Sequence, residues 1–250
     1  MSSKKNRTAE RVARAARTQR AAAAMREQQA QERRRRNFMV GGVVVALLVI
    51  LAGGYLLSRA LDTTTDVSAP AAGSDYGLTI GGADAAHEIV IYEDFLCPFC
   101  GELEAATRDD LAQLAADGKV RVEYRPFNLL STYGDYSARS AGAFSIVRDK
   151  SGPEVAKKFH DLLYENQPEE KGPFPSNADL VDLAVRAGAD EAEVRDPIEN
   201  EQGAAWVEGA TQAALDAGVR GTPTVLLDGK VFQEGRTMDD LAQNLVDRVR

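Results

Sequence analysis

The sequence predicts an α/β domain, ordered β-α-β, helical block, β-β-α, behind one transmembrane helix. Three observations carry this. The run Phe38–Leu57 is apolar and uncharged for 20 residues. A β-branched stretch beginning at Glu88 is followed by a helical apolar spacing and a second strand pattern. Strand patterns return only near the end, around Asp228-Gly229, after a long stretch with helical spacing alone.

The elements follow in chain order. Residues 1–37 hold twelve Lys and Arg against three Glu, leaving nine positive charges, and the block Arg33–Arg36 abuts the apolar run. This is a basic cytoplasmic tail, Ala-, Arg- and Gln-rich, without the Trp, Phe or Leu that an interfacial helix would bury. As a helix, Phe38–Leu57 is about 30 Å long, the thickness of a bilayer's hydrocarbon core. No globular core helix needs so long an uncharged run. A cleaved signal peptide has a shorter start and a nearby small-residue cleavage site; here 37 residues precede the run. The expectation is an uncleaved signal-anchor in the cell membrane. Positive charge stays on the cytoplasmic side, so the N-terminus is inside and the rest extracytoplasmic. Residues 58–75 are small and polar and read as a flexible linker. Against nine positive charges in the tail and −8 for the whole chain, residues 38–250 carry −17, which excludes nucleic-acid binding by the outer domain.

Residues 76–250 are enough for one domain with its own core. "EIVIYEDF" reads as a strand, and Leu103, Ala106, Leu111, Leu114 and Ala115 give helical spacing over Pro98–Ala116. Val120, Val122 and Tyr124 place a second strand on one face, and a β-α-β start favours parallel strands. About 135–217 is a helical insertion, with segments near Tyr136–Asp149, Glu154–Asn166, Asn177–Ala187, Glu191–Glu201 and Ala204–Asp216. Val225–Leu227 and Lys230–Glu234 flank the hairpin signal Asp228-Gly229, and Thr237 caps a last helix.

The only two cysteines, Cys97 and Cys100, lie in "FLCPFCGEL" at the first strand–helix junction. With Pro98 at the first helical position, the unpaired N–H groups and positive end of the helix face the Cys97 sulfur, which favours its thiolate. Cys100, one turn on and less exposed, is placed to attack Cys97. A structural staple is a weak reading, because so small a loop constrains the unfolded chain little. A zinc site needs two more ligands, and the imidazoles His87 and His160 are 73 residues apart and read as surface residues. Redox exchange is the leading reading, and no metal is expected.

"IVIYEDFLCPFC" together with "GVRGTPTVLL" resembles the membrane-anchored DsbA-like thiol:disulfide oxidoreductases of the thioredoxin superfamily, from about Tyr76 to Arg250. The resemblance implies a thioredoxin fold with a DsbA-type helical insertion, Cys97 as nucleophile and Cys100 as resolving thiol. It implies Pro223 as a cis-proline beside Cys97, with Thr222 presenting its backbone to an extended client. It implies no cofactor beyond the Cys97–Cys100 disulfide. The implied partners are thiols of exported or membrane proteins and a membrane redox partner that resets the pair. Two positions depart from the family. Phe99 stands where DsbA has a thiolate-stabilising histidine, which implies a less acidic thiol. Ile91 stands where thioredoxin and DsbA have a buried acid, leaving Glu93 and Asp94 open between assisting proton transfer and being solvated strand-end acids. Oxidative disulfide formation is the leading function; reduction, isomerisation and client-holding by a chaperone are the alternatives.

The topology has a direct test. A membrane-impermeant thiol reagent applied to intact, reduced cells should label Cys97; labelling only after lysis reverses the topology.

Overall fold

The computed structural model describes Val67 and residues 74–250; the basic tail, the apolar run Phe38–Leu57 and most of the 58–75 linker lie outside the described residues. Among the described residues, no helix is long and apolar enough to cross a membrane. These described residues form five strands and six helices in the order β1 (Leu78–Ile80), β2 (His87–Glu93), α1 (Pro98–Ala116), β3 (Val120–Pro126), α2 (Tyr136–Glu165), α3 (Asn177–Ala187), α4 (Glu191–Glu199), α5 (Ala204–Asp216), β4 (Thr224–Leu227), β5 (Lys230–Val231) and α6 (Met238–Val249).

The strands form one sheet in the order β1-β3-β2-β4-β5. β2 and β3 are parallel, with Ile91 opposite Tyr124, as a β-α-β start requires. The other pairings are antiparallel, and Ile91 also faces Val225 of β4. Alternation along β2 supplies both faces. Ile89 and Ile91 pack with Leu103, Leu111 and Leu114 of α1 and Leu241, Leu245 and Val246 of α6. Val90 and Tyr92 pack on the opposite face with Phe127, Ala210 and Ala214, and Val67 joins them. Covered on both sides, β2 is a continuous apolar run. Each fully buried Ile or Leu contributes about 1.5–3 kcal/mol.

The helical insertion builds its own core, in which Phe144, Phe159, Leu163, Leu180 and Val194 surround Phe95 and Leu96 of the loop leading to Cys97. The two helices expected over Tyr136–Asp149 and Glu154–Asn166 run on as α2, broken where Gly152 adopts φ 83° and Pro153 supplies no N–H. α3 begins with a capping box between Ser176 and Asp179. At the hairpin, Asp228 (φ 50°) and Gly229 (φ 74°) both take the left-handed conformation of a type I′ turn. Its second strand is shorter than the expected Lys230–Glu234, ending at Val231. Thr237 caps α6, accepting from the Asp240 N–H. β1 has no counterpart in the sequence reading: three residues at a sheet edge are too short for alternation to show.

α5 is set against α2 by backbone-to-backbone approach. A Cβ at Gly203 would lie 2.4 Å from the Gly142 carbonyl oxygen, whereas one at Gly82 would meet nothing within 4 Å. Gly203→Ala should therefore cost about 1–3 kcal/mol by overpacking, and Gly82→Ala less than about 0.5 kcal/mol. Urea unfolding of both variants checks the difference.

Candidate active site

β2 delivers the chain to a loop whose geometry one carboxylate sets. Asp94 is fully buried. Its Oδ1 accepts from the Leu96 N–H (2.9 Å) and the Ser137 hydroxyl (2.7 Å), and its Oδ2 from the N–H groups of Leu129 (2.8 Å) and Leu130 (2.9 Å). Burial raises its carboxyl above the usual range despite these four bonds. The Asp94 carbonyl also accepts from the Cys97 N–H at 2.9 Å. The solvated strand-end role for Asp94 is thereby corrected. Sequence reasoning missed this function of the acid because its partners lie 35 to 43 residues away, Leu96 apart.

The loop ends at Cys97, the N-cap of α1, with Pro98 opening the helix. The Cys97 carbonyl accepts from the N–H groups of Cys100 (3.1 Å) and Gly101 (3.2 Å). The two cysteines are unbonded and 3.6 Å apart. Cys97 is 5% exposed and Cys100 2%, so Cys97 is less open than its expected role suggested. As a thiol, Cys97 donates to the Thr222 carbonyl at 3.3 Å. The Thr222-Pro223 peptide is cis, so Cys97, Cys100, Thr222 and Pro223 converge on one site. Phe99 projects beside them, 55% exposed.

The electrostatics divide the two sulfurs. A hydrogen bond from Cys100 brings the Cys97 thiol down to about 6, against a burial penalty, with help from Thr222 and the N–H groups of Cys100 and Phe99. Burial, then the neighbouring Cys97 and the charge of Glu93, hold the Cys100 thiol well above its ordinary value. At neutral pH the pair is thus a Cys97 thiolate beside a Cys100 thiol. Such an inequality between two thiols is what thiol–disulfide exchange uses.

Two further sequence readings are corrected. His160 is fully buried rather than at the surface, and Glu93, 2% exposed, is its partner at 2.7 Å. Its other nitrogen lies 3.1 Å from Asp161 and 3.7 Å from Glu104. Lys157 pairs with Glu104 and Asp161, and Arg108 with Glu104 and Glu165. Ala156, Phe159, His160 and Leu163 share the helical inward spacing, a signal that places the histidine inside. Glu104, His160 and Asp161 bring three donor atoms within 4.8 Å of one another. Lys157 and Arg108 already pair with its two carboxylates, so the cluster is an ion-pair network that a metal would have to dismantle. His87 instead bonds the hairpin Asp228 at 3.0 Å, part-exposed.

Burial lowers the His160 imidazole, but Glu93, Glu104 and Asp161 outweigh it and carry it up to about 9. A histidine raised on folding adds stability fully present below its unfolded value of about 6.5. That stability is lost as pH rises through about 9. The wild type should lose on the order of 3 kcal/mol more than His160→Gln between pH 6 and pH 10, measured by urea unfolding at the two pH values.

Known proteins share this architecture. The thioredoxin family profile matches residues 74–247. The Na(+)/H(+) antiporter NhaA 3 of Salinispora tropica is 29% identical over 150 residues, 60% of this chain and 21% of the antiporter. This chain spans about a fifth of the length of the curated relatives it matches. The reduced disulfide bond oxidoreductase DsbG of Mycobacterium tuberculosis is 27% identical with a TM-score of 0.60, over 75% of this chain and 92% of that one. Reduced DsbA of Mycobacterium tuberculosis is 28% identical with a TM-score of 0.58, over 70% and 92%. The chain belongs to the thioredoxin family and carries a helical insertion like that of its DsbA-type neighbours.

Proposed function

We propose that the chain is a membrane-anchored, extracytoplasmic thiol:disulfide oxidoreductase that oxidises thiols of exported or membrane proteins through Cys97 and Cys100. The observation that carries this reading is the convergence at the N-terminus of α1 of Cys97, the more deeply buried Cys100 3.6 Å away and the Thr222 carbonyl 3.3 Å from the Cys97 sulfur, with the Cys97 thiol brought down to about 6. A stabilised thiolate favours the reduced form of the pair, which makes the disulfide an oxidant. The membrane and topology assignments rest on the uncharged run Phe38–Leu57 and the cations before it.

In the oxidative direction, a client thiolate attacks the Cys97 sulfur of the Cys97–Cys100 disulfide. A client–Cys97 disulfide forms as the Cys97–Cys100 bond breaks, and the departing Cys100 sulfur takes up a proton. A second client thiolate then attacks the client sulfur of this mixed disulfide. The client disulfide closes and Cys97 leaves as a thiolate. The client loses two electrons and the pair gains two, which a membrane redox partner removes to restore the disulfide. Thr222, whose carbonyl already meets the Cys97 sulfur, lies where an extended client would align by strand addition, and Pro223 holds that loop beside the sulfur.

Cys100→Ala should accumulate mixed disulfides through Cys97, and Cys97→Ala should not. In glutathione buffers the wild-type potential should fall between roughly −270 mV and roughly −120 mV, the values of thioredoxin and DsbA. A potential at or below the thioredoxin value turns the assignment to reduction. Equal reactivity of both thiols removes the attacker-and-resolver roles.

A further inference from the structure

The redox loop is held from one side by Asp94 and from the other by the helical insertion. Gln167 follows the last turn of α2, and its N–H bonds the Tyr164 carbonyl at 3.2 Å. Its side-chain Nε2 donates to the Phe95 carbonyl at 2.9 Å and to the Cys97 carbonyl at 3.0 Å. Both partners are acceptors, so only the NH2 end of the amide can face them, and both of its hydrogens are used. The amide oxygen lies over Gly101, where a Cβ would stand 2.5 Å from it.

The Cys97 carbonyl is the pivot of the helix start. It also accepts the first-turn bonds from Cys100 and Gly101, so one oxygen ties α1 and Gln167 together. Holding that oxygen fixes the peptide plane after Cys97, whose ψ is 117°. That plane is where α1 starts, and the Phe99 and Cys100 N–H groups of the turn it opens are among the donors that stabilise the Cys97 thiolate. Gln167 contacts neither sulfur in the bonds it makes; it acts through the backbone.

We infer that Gln167 is a positioning residue of the redox pair: by gripping the Phe95 and Cys97 carbonyls, it aims the first N–H groups of α1 at the Cys97 sulfur. The acidity of Cys97 is thereby coupled to the helical insertion, although every atom of the cysteine pair lies outside it. This rests on the proposed redox role of Cys97 and adds a residue that neither the CPFC motif nor the Thr222-Pro223 turn contains.

Two variants of the full chain test it, read by thiolate absorbance and by the pH dependence of Cys97 alkylation in the reduced protein. Gln167→Met keeps the length and removes both donors; the Cys97 midpoint should rise by about half a unit to one unit, the reach of one or two hydrogen bonds. Gly101→Ala leaves Gln167 in the sequence but crowds its amide oxygen away from the loop. Alanine is also the better helix former, by about 0.8–1.0 kcal/mol. Gly101→Ala should therefore raise the midpoint in the same direction while unfolding at a higher urea concentration than Gln167→Met, which loses the same bonds without the helix-propensity gain. That combination separates positioning from a merely structural role, and it stands even if Gln167→Met folds poorly. A Cys97 midpoint unchanged in Gly101→Ala, or in a folded Gln167→Met, overturns the inference. Exchange with a model disulfide, measured on the wild type, reports separately on the redox role: its absence removes that role while the titrations still decide the positioning.

Discussion

Four hydrogen bonds converge on the buried carboxylate of Asp94, and the redox end of the domain is organised around them. They join segments that are remote in sequence: the loop leading to Cys97, the chain leaving β3, and the first turn of α2. A carboxylate in that position has no water to fall back on, so its acceptor sites must be filled by protein donors. Filling them fixes the exit of the loop from β2, and with it the point where α1 begins. Pro98 and the helix N-terminus exert their effect on Cys97 only because that starting point does not wander.

The two sulfurs share a turn of helix and differ in what surrounds them. Cys97 faces donors: the Cys100 thiol, Thr222 and the first amides of α1. Cys100 sits among apolar groups with the charge of Glu93 nearby. The difference is set by the hydrogen bond that Cys100 gives Cys97 and by the deeper burial of Cys100, with backbone N–H groups assisting, rather than by a charged residue within the motif. Phe99, mostly exposed, contributes its backbone N–H and not its ring to the sulfur's environment. An acidic thiol can thus be built without the histidine of the DsbA motif.

The reach of the sequence follows the range of each signal. Pro98–Ala116 and Thr237 were legible because helix spacing and capping are local. The order of elements was legible because strand and helix patterns alternate in a recognisable sequence. Thr222-Pro223 could be placed beside Cys97 because topology, once inferred from resemblance, brings distant residues together. Three residues were too few for β1 to register. The partners of Asp94 and Gln167 carry no local mark, since Gln167 meets Phe95 and Cys97 across 72 and 70 residues. His160 is different: its inward spacing with Phe159 and Leu163 was present, but polarity argued for the surface, and the buried partner Glu93 that reverses that argument lies 67 residues away.

The Glu93–His160 bond bears on how separable this architecture is. The insertion is easily pictured as a module added to a smaller thioredoxin-like sheet. Yet Glu93 belongs to β2, at the centre of that sheet, and its counter-charge comes from α2. Replacing His160 alone would leave the Glu93 carboxylate in the interior without its partner, and removing one partner of a buried pair costs about 3–5 kcal/mol. The central strand and the insertion therefore cannot be altered independently at this point, so the two parts have become one inseparable inheritance.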